Sequence, residues 1–203
     1  MKKTLLTITL LCAVAVVGHA QKIAVKMNGL GLATFAGYGQ WSPTPNLGVE
    51  VALWPKWTLD VSGYANPFKF SDNKSTQFWA AQPELRYWFC SKYNGHFVGV
   101  HGQYAEYYNF GTRKNIYDGW LAGAGLSYGY SLPIAFRWKL EANLGFGWNS
   151  VNSSTVWLRE DPTGTYPSQA YGPKHGNAVY QDAVYKNYWG ITRAGISVIF
   201  IIR

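Results

Sequence analysis

The stretch that decides the fold is Phe136-Arg-Trp-Lys-Leu-Glu-Ala-Asn-Leu-Gly-Phe-Gly-Trp148. Apolar residues occupy its even positions, and polar residues or glycines occupy its odd positions, which is the period of a β-strand with two different faces. Trp138 and Trp148, near its ends, are ten residues apart. A strand covers about 33 Å over that distance, and a tilt of about 40° reduces the height to about 25 Å, the height of the apolar band on an outer-membrane barrel. The pattern predicts a membrane-facing strand, with one strand of a soluble sandwich as the alternative.

The first 20 residues have the parts of a secretory signal. Lys2 and Lys3 precede an apolar run, and Gly18-His-Ala20 has the small-x-small form of a cleavage site. The apolar run is too short for a spanning helix. We therefore predict a signal peptide over 1–20 and one domain over 21–203, in which Cys90 is the single cysteine and no internal disulfide forms.

The composition favours a membrane barrel over a soluble secreted domain. Aromatic residues make up 17% of the chain and charged residues only 14%. A barrel with aromatic girdles accounts for this balance, because only one face of each strand is apolar. The tryptophans that we predict at the membrane interfaces are Trp57, Trp120, Trp138, Trp148 and Trp189.

The chain contains eight strand-like segments, and the connections between them alternate between short turns and longer loops. Short turns at one end and long loops at the other are typical of an up-and-down membrane barrel. The sequence therefore predicts an all-β, eight-stranded antiparallel up-and-down transmembrane β-barrel, with a long extracellular loop over 150–188. The predicted strands are Ile23 to about Phe35, Asn46–Trp54, Trp57 to about Tyr64, Phe78–Phe89, Phe97 to about Tyr108, Gly119–Tyr130, Phe136–Trp148 and Trp189–Arg203.

The polar faces of these strands carry charges of both signs. The interior of an eight-stranded barrel is only just wide enough for side chains, so charges placed there must pair. We predict a filled, ion-paired interior without a large pore. A soluble lipocalin-like barrel, with the apolar face around a ligand, is the competing fold, and alternation alone does not choose between them. The predicted interior network is Glu50, Asp60, Glu84, Arg86, His101, Arg137, Lys139, Glu141 and Arg193.

The last strand and several internal blocks carry a resemblance to known proteins. The segment from Arg193 to Phe200 resembles the terminal-strand signal read by the outer-membrane barrel assembly machinery, although three residues follow Phe200. Five blocks, which stand in the same order, resemble an uncharacterised family of small secreted Bacteroidetes proteins, a domain of unknown function. The resemblance implies an outer-membrane β-barrel, often encoded near fimbrial genes, and it implies no catalytic residues. The blocks are Asn46-Leu-Gly-Val-Glu-Val51, Glu84-Leu-Arg-Tyr-Trp-Phe89, His96-Phe-Val-Gly-Val-His-Gly-Gln103, Gly123-Ala-Gly-Leu-Ser-Tyr-Gly-Tyr-Ser-Leu-Pro133 and Trp189-Gly-Ile-Thr-Arg-Ala-Gly-Ile-Ser-Val198.

Motifs for catalysis, cofactors and metals are not found in the sequence. His101 with Glu84 or Glu141 has the residue types of a base and its orienting acid. A hydrogen-bonded interior histidine is the interpretation that we favour, because a neutralising Arg–Glu network also accounts for the carboxylates. We predict no catalytic, cofactor-binding or metal-binding residues, and the export signal argues against a nucleic-acid partner.

The long loop is the best candidate for recognition, because its tyrosines lie among Gly, Pro and Asn, a mixture suited to adaptable contacts. The candidate residues are Trp157, Tyr166, Tyr171, Tyr180 and Tyr185. The basic residues of the loops suggest contact with anionic lipopolysaccharide headgroups.

Three functional hypotheses follow. The favoured one is a non-enzymatic envelope protein of a Gram-negative outer membrane, with a structural or interaction role and a link to fimbriae that comes from the resemblance. The others are a lipid-modifying barrel enzyme and a soluble lipocalin-like binder of an apolar ligand.

Overall fold

The computed structural model of the chain describes residues 22–32, 35–36, 40–41, 43–67, 69–70, 74–111, 115–158 and 178–202. The predicted signal peptide lies outside these residues. Within them, no helix has the length and apolar character needed to cross a membrane. The elements are β1 (Ile23–Asn28), α1 (Gly29–Leu32), β2 (Phe35–Ala36), β3 (Gln40–Trp41), β4 (Asn46–Trp54), β5 (Trp57–Asn66), β6 (Lys69–Phe70), β7 (Lys74–Trp88), β8 (Gly95–Gly111), β9 (Asn115–Pro133), β10 (Trp138–Leu158) and β11 (Ala178–Ile201).

Eight of these strands form a ring, in the order β1-β4-β5-β7-β8-β9-β10-β11, and every pairing is antiparallel. The ring closes where β11 pairs with β1, through Phe200 opposite Val25. These pairings confirm the predicted all-β fold and its eight antiparallel strands. The short pairs β2–β3 and β6–β7 lie outside this ring order.

The two ends of the ring differ in their connections. One end, called the turn end here, carries the short connections 55–56, 89–94 and 134–137. The start of β1 and the end of β11 also meet there, because Ile202 N–H donates to the Ile23 carbonyl at 2.8 Å. The opposite end is called the loop end.

Side chains alternate between the inside and the outside of the ring, as the sequence pattern predicts. Along β10, Glu141 and Asn143 are buried inside, whereas Leu144 and Phe146 are each 57% exposed outside. The same division holds along β11, where Ser197 is buried and Ile196 is exposed. The polar face therefore points inward and the apolar face outward, opposite to the lipocalin-like arrangement.

Two strand boundaries correct the predicted ones. β1 ends at Asn28 and does not continue to Phe35, because Asn28 Oδ1 accepts the Leu30 N–H at 3.0 Å and so caps the turn α1. The predicted loop over 150–188 is partly strand, because β10 continues to Leu158 and pairs there with Ala178 of β11.

A bulge in β11 changes the alternation near its centre. Arg193 lies opposite Gly145, and Ile191 lies opposite Phe146, so Thr192 is the extra residue. Thr192 and Arg193 are consequently both buried inside the ring, although they are adjacent in sequence.

Candidate functional site

A cluster of buried ion pairs fills the middle of the ring. We call it the central ion cluster. Arg86 is its centre: its guanidinium is fully buried, Nη1 donates to Glu50 Oε2 and Glu141 Oε2, both at 2.9 Å, and Nε donates to Glu84 Oε2 at 2.5 Å. Burial of so many charges is tolerated only when they are paired and hydrogen-bonded. The members of the cluster are Lys26, Glu50, Asp60, Glu84, Arg86, Glu141 and Arg193.

Two further cations complete the cluster. Lys26 Nζ lies 2.5 Å from Asp60 Oδ2, and Arg193 Nη2 donates to the same oxygen at 2.7 Å. The second Arg193 nitrogen, Nη1, is 3.3 Å from Glu84 Oε2. Among the described residues the cluster thus contains three cations and four carboxylates, a formal excess of one negative charge.

Each carboxylate also accepts a hydrogen bond from a neutral side chain. Thr58 Oγ1 donates to Glu50 Oε1 at 2.5 Å, Asn143 Nδ2 donates to Glu141 Oε1 at 3.0 Å, and Ser62 Oγ donates to Asp60 Oδ1 at 3.3 Å. Ser127 Oγ donates to Glu84. These neutral donors satisfy oxygens that the cations leave unpaired, which is the condition for a stable buried charge.

The structure brings together most of the predicted network and corrects part of it. Arg137 lies on the exposed turn between β9 and β10, with its guanidinium 6.0 Å from the Phe136 ring centre. Lys139 is half-buried at the turn end and makes no ion pair with the cluster. Lys26, which sequence reasoning missed, provides the third cation. In the sequence, Lys26 and Asn28 alternate with Val25 and Met27, and this alternation indicates that Lys26 lies on the polar, inward face of the strand.

His101 lies inside the ring, as predicted, but without an orienting acid. Its Nε2 is 2.7 Å from Thr192 Oγ1, and its Nδ1 has no hydrogen-bond partner among the described residues. Glu84 and Glu141, the two carboxylates considered as orienting acids in the alternative interpretation, both bind Arg86. No metal-binding group of three or more His, Cys, Asp or Glu occurs in the described part of the chain.

Aromatic side chains close the ring interior on the turn side of the cluster, and sequence reasoning missed them. Trp88 and Phe97 are completely buried with ring centres 4.8 Å apart, and the Arg86 guanidinium lies 4.4 Å from the Phe97 ring centre. Gly129 makes this possible, because a Cβ there would overlap Phe97 and lie 2.8 Å from the Ala142 carbonyl oxygen. We call Trp88, Tyr93 and Phe97 the aromatic seal.

Tyr93 belongs to the turn between β7 and β8 and reaches back into the ring. Its backbone is left-handed, with a φ of 62°, and its side chain is 1% exposed. The hydroxyl donates to the Lys22 carbonyl at 2.7 Å and lies 3.3 Å from the Glu50 carbonyl. Burial, together with the nearby Glu50 carboxylate, raises the pKa of Tyr93 well above its usual range.

The outer surface of the ring is apolar at mid-height and aromatic toward both ends. Trp57 and Trp138 lie on the turn side of this band, and Trp148 pairs with Trp189 on the loop side. Trp120 stacks on Tyr104, with ring centres 6.5 Å apart. All five predicted interface tryptophans are on strands of the ring. The exposed aliphatic residues between the two sides include Val49, Val61, Leu85, Val100, Leu126, Leu144 and Ile196.

The predicted recognition residues are only partly described. Tyr185 is 69% exposed on β11. Trp157 lies opposite Val179, and Tyr180 opposite Val156, in the β10–β11 hairpin. Tyr166 and Tyr171 lie outside the described residues.

Comparison with known proteins identifies the family. A family model described as "Protein of unknown function (DUF3575)" matches residues 6–202. The chain belongs to this family. The match confirms the resemblance to an uncharacterised family, and it covers all eight strands of the ring. No curated protein and no solved structure matches the chain.

Proposed function

We propose that this DUF3575 member is a non-enzymatic outer-membrane β-barrel with a structural or interaction role in the cell envelope. The observation that carries the proposal is the distribution of polar and apolar side chains in the ring, which is the reverse of that in a soluble protein. Charged side chains occupy the inside, while aliphatic side chains between aromatic ends face outward. A soluble protein would leave this apolar band in water, whereas the hydrocarbon core of a bilayer is its favourable solvent.

The remaining features agree with export to that membrane. The signal-like residues 1–20 direct secretion, and the terminal strand fits recognition by the barrel assembly machinery. The central ion cluster and the aromatic seal block the interior, which disfavours a solute channel. The proposed surroundings are therefore outer-membrane lipid and, near the basic loops, lipopolysaccharide.

The first test is electrophoretic mobility of the protein from a washed outer-membrane fraction, with and without boiling. A membrane-bound band that migrates faster when unheated is expected from a closed, detergent-resistant barrel. Recovery in the soluble fraction without a heat-dependent shift would contradict the proposal, and the apolar face would then need another covering.

A matched pair of substitutions tests lipid contact directly. Leu126, at mid-height, is 67% exposed, and Tyr185, toward the loop end, is 69% exposed. In lipid vesicles, Leu126→Arg should lower the free energy of unfolding by about 2–4 kcal/mol, the cost of a charge at the bilayer midplane. Tyr185→Arg should change it little. Equal effects of the two substitutions would argue against a bilayer around the middle of the ring.

The interaction role is tested at the β10–β11 hairpin. Because Leu158 and Ala178 are paired, residues 159–177 can be replaced by Asn-Gly, the dipeptide that closes a tight hairpin. If a fimbrial protein is the partner, the shortened protein should insert normally while surface fimbriae decrease. Unchanged fimbriae at equal protein levels would leave only the structural role.

A further inference from the structure

The inward-facing residues change character between the middle of the ring and its loop end. Next to the central ion cluster comes a layer of amides, Gln82, Gln103 and Asn149, in which Gln103 and Asn149 lie on either side of Gly123. The following layer is apolar and mostly small. It consists of Ala80, Ala105, Leu121 and Val151, which pair in that order across neighbouring strands.

This change leaves unfilled space inside the ring. A cavity of about 340 Å³ is bounded by Gln82, Gln103, Thr192 and Arg193 on its polar side. A second cavity, of about 390 Å³, is bounded by Tyr107, Tyr117, Leu121 and Val151. Both cavities contact Phe78, Ala105 and Leu121, so they adjoin each other. Their volumes fall within the range of small-molecule sites, about 300–1,000 Å³.

The polar side of the space has amide donors and one amide acceptor left over, and Asn149 Nδ2 has no hydrogen-bond partner among the described residues. Gln82 Nε2 donates to Gln103 Oε1 and to the Thr192 carbonyl, both at 3.0 Å. Gln103 Nε2 donates one hydrogen to Asn149 Oδ1. An amide nitrogen carries two hydrogens, so one N–H of Gln103 remains, and Gln82 Oε1 accepts no hydrogen bond from the described residues.

The charge beneath this layer selects against an anionic occupant. Arg193, the cation nearest the cavity, donates from Nη2 to Asp60 at 2.7 Å, and its Nη1, which has no hydrogen-bond partner among the described residues, lies 3.3 Å from Glu84. The central ion cluster as a whole has a formal excess of one negative charge. An anion placed on the amide layer would have to compete with Glu84 for Arg193, and it would be repelled by the excess negative charge of the cluster, because the protein interior screens charge poorly.

We propose that the loop-end interior is a binding site for a small neutral amphiphile. Its apolar body lies between Phe78, Leu121 and Val151, and its amide or hydroxyl head pairs with Gln82 Oε1 and the free Gln103 N–H. This activity goes beyond the structural or interaction role proposed above, and it requires only that the ring be folded.

Naphthamide and naphthoate are matched probes, because they have nearly the same shape and differ in charge. Equilibrium dialysis against protein in lipid vesicles, with protein-free vesicles as the reference, should give saturable binding of naphthamide. Naphthoate should bind at least about tenfold more weakly, because its carboxylate faces the excess negative charge. A naphthamide isotherm that never saturates would contradict a specific binding site. Stronger binding of naphthoate than of naphthamide would contradict the preference for a neutral head group.

Substitutions then locate the binding inside the ring. Ala105→Phe fills the space and should abolish saturable binding, whereas Ala124→Phe adds the same ring to the exposed outer face and should not affect it. Gln103→Leu should weaken the binding of naphthamide about tenfold, which is the loss of affinity expected for one hydrogen bond in a buried site. Heat-dependent mobility confirms that each variant is folded, and Leu121→Phe replaces Ala105→Phe if the latter is not. Binding that survives in the folded cavity-filling variant would place the probe elsewhere and overturn the proposal.

Discussion

Near the short turns, the ring interior is filled by Trp88, Phe97 and the central ion cluster, whereas near the long loops it contains Ala80, Ala105 and two adjoining cavities. The same eight strands build both halves, and the outward faces are apolar in both. The difference lies only in the inward residues. We therefore expect the half of the ring near the turn end, called the turn half, to contribute most of the stability. The half near the loop end, called the loop half, has space to bind a ligand. The four predictions below test this division, in order of decreasing effect.

The largest effect is expected from Arg86→Met, because it leaves Glu50, Glu84 and Glu141 without their shared guanidinium. Breaking a buried ion pair in this way costs about 3–5 kcal/mol. The free energy of unfolding, from urea titration in lipid vesicles, measures the loss. Arg137→Met is the control, because Arg137 is exposed on a turn.

Neutralising the orphaned carboxylates should restore part of that loss. In the Arg86→Met background, Glu50→Gln and Glu141→Gln remove two uncompensated charges, so the triple variant should be more stable than Arg86→Met alone. A triple variant that is no more stable would mean that the guanidinium acts through packing on Phe97 and not through charge.

The same substitution in the two halves should have unequal effects. Phe97→Ala empties a completely buried site in the aromatic seal and should cost about 3–5 kcal/mol. Phe78→Ala, at the edge of the cavities, should cost about 1 kcal/mol, because its ring is only partly buried in the folded protein. Similar losses on urea titration would remove the distinction between a stabilising half and a binding half.

Gly129→Ala should destabilise the turn half by crowding. The added methyl group would overlap the Phe97 ring, and overpacking of this kind costs about 1–3 kcal/mol. Gly63→Ala is the control, since the nearest atom to a Cβ there is the Leu47 carbonyl oxygen at 3.9 Å. Combining Gly129→Ala with Phe97→Leu should cost less than the two separate losses added together, and additive losses would contradict the assigned clash.

Tyr93→Phe is expected to have the smallest effect at neutral pH. It removes the hydroxyl that donates to the Lys22 carbonyl, a loss of about 1 kcal/mol. The pKa of Tyr93 is raised in the folded protein by burial, from an ordinary value of 10.0. Above that pH the unfolded chain releases this proton while the folded protein keeps it, so stability falls as pH rises. Tyr93→Phe should lose less stability than the wild type between neutral pH and pH values above about 10, the ordinary tyrosine pKa. Parallel pH profiles for the two proteins would show that the Tyr93 hydroxyl is not the group responsible.

The sequence showed the alternation of inward and outward residues along the strands, but it did not show where turns and bulges interrupt that alternation. Period-2 patterning correctly divided Glu141 from Leu144 and Glu84 from Leu85, because successive strand residues point to opposite faces. It extended the inward set to Arg137, where the strand has already become a turn. Thr192 and Arg193 are consecutive polar residues in the sequence, and only strand pairing showed that a bulge turns both of them inward.

The candidate binding site was the least accessible to sequence reasoning. Ala80, Ala105 and Leu121 are far apart in the chain and unremarkable individually, and their common layer depends on the register of two strand pairs. The sequence predicted a filled, ion-paired interior without a large pore, because it showed the charges but not the heights at which they lie. The structure instead concentrates the filling in one half.

By itself, the sequence determined the all-β class, the eight strands and the face of each strand that carries charge. These properties depend on local alternation and turn chemistry, which neighbouring residues specify. Only the tertiary structure decided which cation meets which carboxylate, where Phe97 fits against Gly129, and where space remains. Those outcomes depend on ring closure and strand register, through which residues distant in sequence become neighbours at a common height.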